Sequence, residues 1–318
     1  MNQPVKTNVP LADLLPNDWF DNEGETRVLQ VAYTCNFFRP ADINQPYLTG
    51  QIDDVCYVVF DLAEGMEFLS IENVIKVIDK IPQVHVKVDK ATTQAATHIM
   101  FFALYREDGE TTEAEALGKI ESARGLVSAV EGLNSNYEHV FTRELNLPSG
   151  QESAPGPVVK VPHTYPVPFV HGDRVNSIAS SLEELDDPLR RRILLGLRWF
   201  DKADREIDSL DAFLKSWFAL EVVAMPDTTN IRPMVESLAS IYGMPYRDAV
   251  AHFQIGRIQN LRADIVHNGA VRPIHYMLHN YIQAVFVDIL FFLASQVSER
   301  RAEAVLQDTT FDQATWRP

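Results

Sequence analysis

The chain is predicted to fold as an N-terminal α+β domain followed by an all-α helical bundle. Three observations carry this expectation. Runs of β-branched and aromatic residues recur through the first 146 residues, six prolines crowd the segment from Leu147 to Gly172, and apolar residues then repeat at spacings of three and four as far as Val297. The expected organisation is a strand-rich domain over 1–146, a proline-rich linker over 147–172, a helical domain over 173–300 and a tail over 301–318. A length of 318 residues suits two domains, because single cores stop growing near about 250 residues.

The first twenty residues are punctuated by Asn and Pro and read as an irregular lead-in with a short turn around Leu11 to Leu15. Strands are expected at Arg27–Phe38, Val55–Leu62, Val84–Val88, His98–Tyr105 and Tyr137–Leu145. Helices are expected between them at Ile71–Ile81, on Ile71, Val74, Ile75 and Ile78, and at Thr112–Leu133, on Leu117, Ile120, Leu126, Val127 and Val130. Pro148, Pro155, Pro157, Pro162, Pro166 and Pro168 block a regular helix and disfavour a central strand, which makes 147–172 an extended linker.

Beyond the linker the pattern is helical. Ile178–Ala203 is expected to restart at Asp186-Asp187-Pro188, Ser209–Met225 to stop at Pro226, and Arg232–Tyr242 to end at Gly243. Pro245 opens a helix to about Val266, and Ile274–Val297 supplies the last and most apolar one. Trp199, Trp217, Phe213 and Phe218 read as core residues on these stripes rather than as stacking platforms.

Composition narrows the function. Neither a leader segment nor a membrane span is expected, since the apolar run Ala284–Leu293 is short and carries Asp288. Cys35 and Cys56 lie in strand-like runs outside any CxxC or Cys/His cluster, so no disulfide framework or zinc site is expected and the reducing cytoplasm is the expected address. Residues 1–169 carry 12 Lys and Arg against 24 Asp and Glu, whereas 170–318 carry 16 against 20, and 14 of those 16 cations are Arg. A polyanion would be repelled by the first half, and any phosphate site belongs on the second, where arginine forks suit phosphate oxygens.

The segment Leu261-Arg262-Ala263-Asp264-Ile265-Val266-His267-Asn268-Gly269 carries the chemistry. Val250, Phe253, Ile258, Leu261 and Ile265 form the expected buried stripe, leaving Arg257, Arg262 and His267 off it. Asn268-Gly269 and Pro273 stop the helix, which places His267 in its last turn, where the negative end of the helix dipole favours the protonated ring. The run Arg190-Arg191-Arg192 reads as a solvated helix surface with i,i+4 pairs, and His275 and His279, although at a metal-capable spacing, lack a third ligand. No metal or other cofactor is expected.

This string, preceded by the Trp199-Phe200 helix and by Phe213-Leu214-Lys215-Ser216-Trp217-Phe218-Ala219-Leu220-Glu221, resembles the HEPN superfamily in its Apea-like branch, over about 178–297. The resemblance implies a bundle of four or five helices that forms a homodimer, with two Arg-x4-His motifs beside a shared cleft, and a metal-independent endoribonuclease activity of the toxin or defence-effector kind. Arg262 and His267 are the implied catalytic residues, with Asn268, Asp264 and Glu221 in supporting positions. RNA is the implied substrate, and the N-terminal domain is expected to take a regulatory protein or a small-molecule trigger. Ala263 stands where active members commonly carry a polar residue, so a non-catalytic nucleotide-binding, RNA-binding or scaffold module is the alternative.

Overall fold

The computed structural model of the chain describes residues 7–10, 14–20, 26–35, 48–62, 67–78, 81–92, 96–105, 112–131, 137–147, 158–161, 172–269, 273–308 and 316–318. It divides into two compact units. The first comprises Met1–Gly50, Cys56–Glu113 and Tyr137–Val170, and the second Gln51–Val55, Ala114–Asn136 and His171–Pro318.

Strands β1 (Thr7–Pro10), β2 (Thr26–Cys35), β3 (Leu48–Ile52), β4 (Val55–Leu62), β5 (Glu67–Ile78), β6 (Ile81–Thr92), β7 (Ala96–Tyr105), β8 (Tyr137–Leu147) and β9 (Val158–Val161) precede the C-terminal helices. Five of them form a sheet in the order β3-β4-β7-β2-β8, with β2 an interior strand antiparallel to both β7 and β8. Burial on both faces suits the sequence of β2: Val28, Leu29, Val31 and Ala32 are buried together with one polar residue, Gln30, so the strand does not alternate apolar and polar positions. One face of the sheet packs Val28, Ala32, Cys56, Val58, Met100 and Phe102 against Leu15 and Trp19.

Three expectations are corrected here. The helix expected at Ile71–Ile81 is strand: β5 pairs antiparallel with β6 from Glu67↔Thr92 to Ile78↔Ile81. Ile71, Val74, Ile75, Val77 and Ile78 are β-branched, and cross-strand pairing settles a run whose apolar spacing fits both periods. The lead-in and the linker each contribute a short strand, β1 and β9, which pair antiparallel with Thr7 opposite Val161. Pro10 ends β1, a strand position open to a residue without an N–H. The six linker prolines and the expected strand end at 36–38 lie outside the described residues.

Helix α1 (Glu113–Glu131), which the residue pattern groups with the strands, is counted from Ala114 onward in the second unit. There it meets α3 (Asp187–Asp204) so closely that a Cβ on Gly125 would lie 2.1 Å from the Leu197 carbonyl oxygen. Ser122 Oγ donates to the Leu194 carbonyl at 2.8 Å, and Arg124 forms a fully buried, two-pronged pair with Asp201. The other helices are α2 (Gly172–Glu183), α4 (Ser209–Ala224), α5 (Arg232–Tyr242), α6 (Tyr246–Phe253), α7 (Ile255–Asn268), α8 (Tyr276–Leu293) and α9 (Arg301–Gln307). Asp186 caps α3 by accepting from the Leu189 N–H, with Pro188 in the first turn, and Gly243 closes α5 in the left-handed region at φ 63°. The single helix expected after Pro245 is broken into α6 and α7, because Gln254 takes φ 52°.

Helix α8 is the centre of the unit. By length and composition it could cross a bilayer, yet most of it is buried against the other helices. Its Asp288, fully buried, accepts from Tyr242 Oη at 2.6 Å, Ser298 Oγ at 2.7 Å and the N–H groups of Arg301 and Ala302, which caps the start of α9. Residues 301–307 of the expected tail are therefore helix docked on α8. Arg301 in turn donates to the carbonyls of Ala129 and Val130 at the end of α1.

His279 on α8 is mostly buried, its Nε2 has no hydrogen-bond partner among the described residues, and burial pushes its pKa down from 6.5 to about 4. Between those values the unfolded chain takes up a proton that the folded chain refuses, so this stabilising contribution is complete above about pH 6.5 and lost as pH falls through 4. The loss amounts to roughly 3 kcal/mol. Urea unfolding across that range should show His279→Leu losing less stability on acidification than the wild type; parallel curves would contradict the assignment.

Candidate functional site

Helix α7 is built on a stripe of Ile255, Ile258, Leu261 and Ile265, all buried, which pins the helix to the unit and fixes where its other faces point. It ends where expected. Gly269 adopts φ 63°, a left-handed conformation open to glycine, and its N–H returns to the Asp264 carbonyl.

Arg262 lies one step off the stripe, on the side of α4. Its Nη2 reaches Glu221 Oε2 at 3.4 Å, and its guanidinium carbon sits 5.7 Å from the centre of the Phe218 ring. The two charged side chains retain 21% and 26% of their accessibility, so this is a part-open ion pair with a long contact. The Nε of Arg262 is buried with no hydrogen-bond partner among the described residues. The arginine is thus held in place by one carboxylate and one ring, with its guanidinium partly open to solvent, a side chain whose planar fork suits an anion.

His267 occupies the last turn of α7, exposed, with no hydrogen bond or ion pair among the described residues. Because α7 is continuous from Ile255 to Asn268, the five steps from Arg262 to His267 rotate by about 500°, leaving the two side chains roughly 140° apart around the axis. They share a helix and diverge from one face of it. Of the expected supporting residues, Glu221 contacts Arg262, while Asn268 Nδ2 donates to Asp264 Oδ1 at 3.2 Å, a pair spanning the last helical turn. Ala263 is half-buried.

Several of the other flagged residues engage partners of their own. His275 caps α8, its Nδ1 accepting from the Met277 N–H at 3.1 Å, which separates its role from that of His279. Arg191 pairs with Asp187 at i,i+4 and Arg190 with Asp53. Phe213 and Trp217 are fully buried, as expected of core residues. Trp199 and Phe218 are not: both are half-buried, and they meet edge to face with ring centres 5.5 Å apart. Lys202, three residues after Trp199, places its ammonium 5.6 Å from that ring. The residue pattern missed this row, although an i,i+3 Trp/Lys pair on an otherwise amphipathic helix is the signal that could have exposed it.

No protein-family model matches the chain, and neither a curated protein nor a solved structure is found to match it.

Proposed function

We propose that the helical unit is a HEPN-like, metal-independent endoribonuclease. The observation that carries the reading is the state of Arg262: a part-buried, part-open arginine steadied by Glu221 and Phe218, on the same helix as an exposed terminal histidine. The reaction needs a base to take the 2′-hydroxyl proton, so that the 2′-oxygen attacks phosphorus while the bond to the 5′-oxygen breaks, and an acid to protonate that leaving oxygen. It yields a 2′,3′-cyclic phosphate and a 5′-hydroxyl. His267 serves the proton transfers, and Arg262, which stays charged, binds the phosphorane oxygens.

The divergence of the two side chains around α7 supports a site completed by a second copy, since one chain offers one His267 and directs it away from its own Arg262. In a homodimer two such helices would contribute to a shared cleft. The strand-rich unit then acts as the regulatory half, responding to a protein or small-molecule trigger, and the whole works as a toxin or defence effector in the cytoplasm. The second reading is a non-catalytic RNA- or nucleotide-binding module, favoured by Ala263, which supplies no polar group between Arg262 and Asp264.

The two readings part on a substrate lacking the nucleophile. The full chain is expected to cut a single-stranded oligoribonucleotide and to leave the 2′-deoxy oligonucleotide of the same sequence intact. Binding of both without cleavage of either would favour the module, and cutting of the deoxy strand would exclude chemistry through the 2′-hydroxyl.

A further inference from the structure

Lys202, Trp199, Phe218 and Arg262 form one row across α3, α4 and α7, with successive separations of 5.6, 5.5 and 5.7 Å between cation and ring, ring and ring, and ring and cation. All four side chains are reachable from solvent: the rings are half-buried, and Lys202 and Arg262 keep 32% and 21% of their accessibility. Two carboxylates border the row. Glu121 lies 3.5 Å from Lys202 and also holds Arg198 at 2.6 Å, and Glu221 lies 3.4 Å from Arg262, so three cations face two anions in a chain whose net charge is −16.

The α3–α4 seam is closed at Gly196 as well, where an added Cβ would lie 2.3 Å from Val223 Cγ2, and Phe200 of α3 stacks separately on Phe286 of α8. Two aromatic residues left half open between two cations combine the elements that bind an unstacked base and its flanking phosphates: a π surface for the base and point charges for the backbone.

We infer that this row is a base-stacking subsite for single-stranded RNA, in which a nucleobase lies against Trp199 and Phe218 while the phosphates beside it engage Arg262 and Lys202. This rests on the reading of Arg262 as the phosphate contact of the proposed ribonuclease, but it concerns binding and does not require cleavage. Stacking accepts any base, so the subsite confers a preference for unpaired strands over duplex rather than for a sequence.

The test uses the full chain and a fluorescently labelled 2′-O-methyl oligoribonucleotide, which cannot be cut through its 2′-oxygen, beside an abasic oligomer of the same length. Trp199→Leu is expected to weaken binding of the first by about 10-fold and of the abasic oligomer by less than about 2-fold, within the range that aromatic stacking supports. Trp199→Phe should restore most of the affinity. Phe218→Leu should repeat the loss if Trp199→Leu fails to fold, and Arg191→Ala, at an arginine 82% exposed, should leave binding unchanged. Equal losses for both oligomers, no loss in either ring variant, or no binding by the wild type would overturn the subsite. If Trp199-dependent binding is found but RNA is never cut, the ribonuclease reading fails and the subsite stands; if RNA is cut with no dependence on either ring, the reverse holds.

Discussion

His267→Ala is expected to lower the rate of RNA cleavage by about 100- to 10,000-fold, the range spanned by a positioned acid or base. The side chain is exposed and makes no hydrogen bond or ion pair among the described residues, so its removal should shift stability by less than about 0.5 kcal/mol. The lost activity would therefore belong to chemistry and not to folding. Arg262→Ala should cost about 100- to 1,000-fold through lost stabilisation of the phosphorane. Arg262→Lys should recover part of that, since it restores the charge without the planar fork. Single-turnover rates at saturating RNA, with far-UV circular dichroism as the control for folding, check all three; a His267→Ala rate within about two-fold of wild type would remove the histidine from the mechanism.

The second large effect is on stability. The Arg124 and Asp201 side chains keep 2% and 1% of their accessibility, and Asp201 also accepts from Arg205 at 2.7 Å. Asp201→Ala would strand the Arg124 guanidinium inside the α1–α3 contact, where the close approach at Gly125 leaves no room for rearrangement, and is expected to destabilise the helical unit by about 3 to 5 kcal/mol. Replacing both partners, as Arg124→Met with Asp201→Leu, should recover most of that loss, because two apolar side chains carry no desolvation cost. Urea midpoints of the three proteins measure it. A single variant with an unchanged midpoint would mean that α1 does not depend on this pair.

Local signals marked the helix boundaries well. Pro188 behind Asp186 and Gly243 after Tyr242 determine termini through a missing N–H, a capping carboxylate and a left-handed glycine, all properties of neighbours in the chain. The helix Arg232–Tyr242 was bounded correctly for that reason, and the strand Val55–Leu62 was bounded correctly from its run of β-branched and aromatic residues. Where the outcome rests on pairing or capping by another segment, near or far in the chain, the residue pattern went astray. Ile71–Ile78 becomes strand because Ile81–Thr92 pairs with it, Val158–Val161 because Thr7–Pro10 does, and Arg301–Gln307 is helix capped by Asp288 from α8. Gln254 in the left-handed region carries no local mark of its own, so the break between α6 and α7 went unread. The candidate site divides in the same way. Arg262, His267 and the end of α7 follow from spacing and a glycine, whereas the row from Lys202 to Arg262 exists only once α3, α4 and α7 are placed side by side.

The central claim is that RNA is cut through its own 2′-hydroxyl by protein side chains alone, and the products of a single digestion test it most directly. Purified full chain should cleave RNA in excess EDTA as fast as without it, and every new 3′ end should carry a 2′,3′-cyclic phosphate or the monophosphate from its opening, opposite a 5′-hydroxyl. Cleavage abolished by EDTA, or products ending in 3′-hydroxyl and 5′-phosphate, would contradict the account.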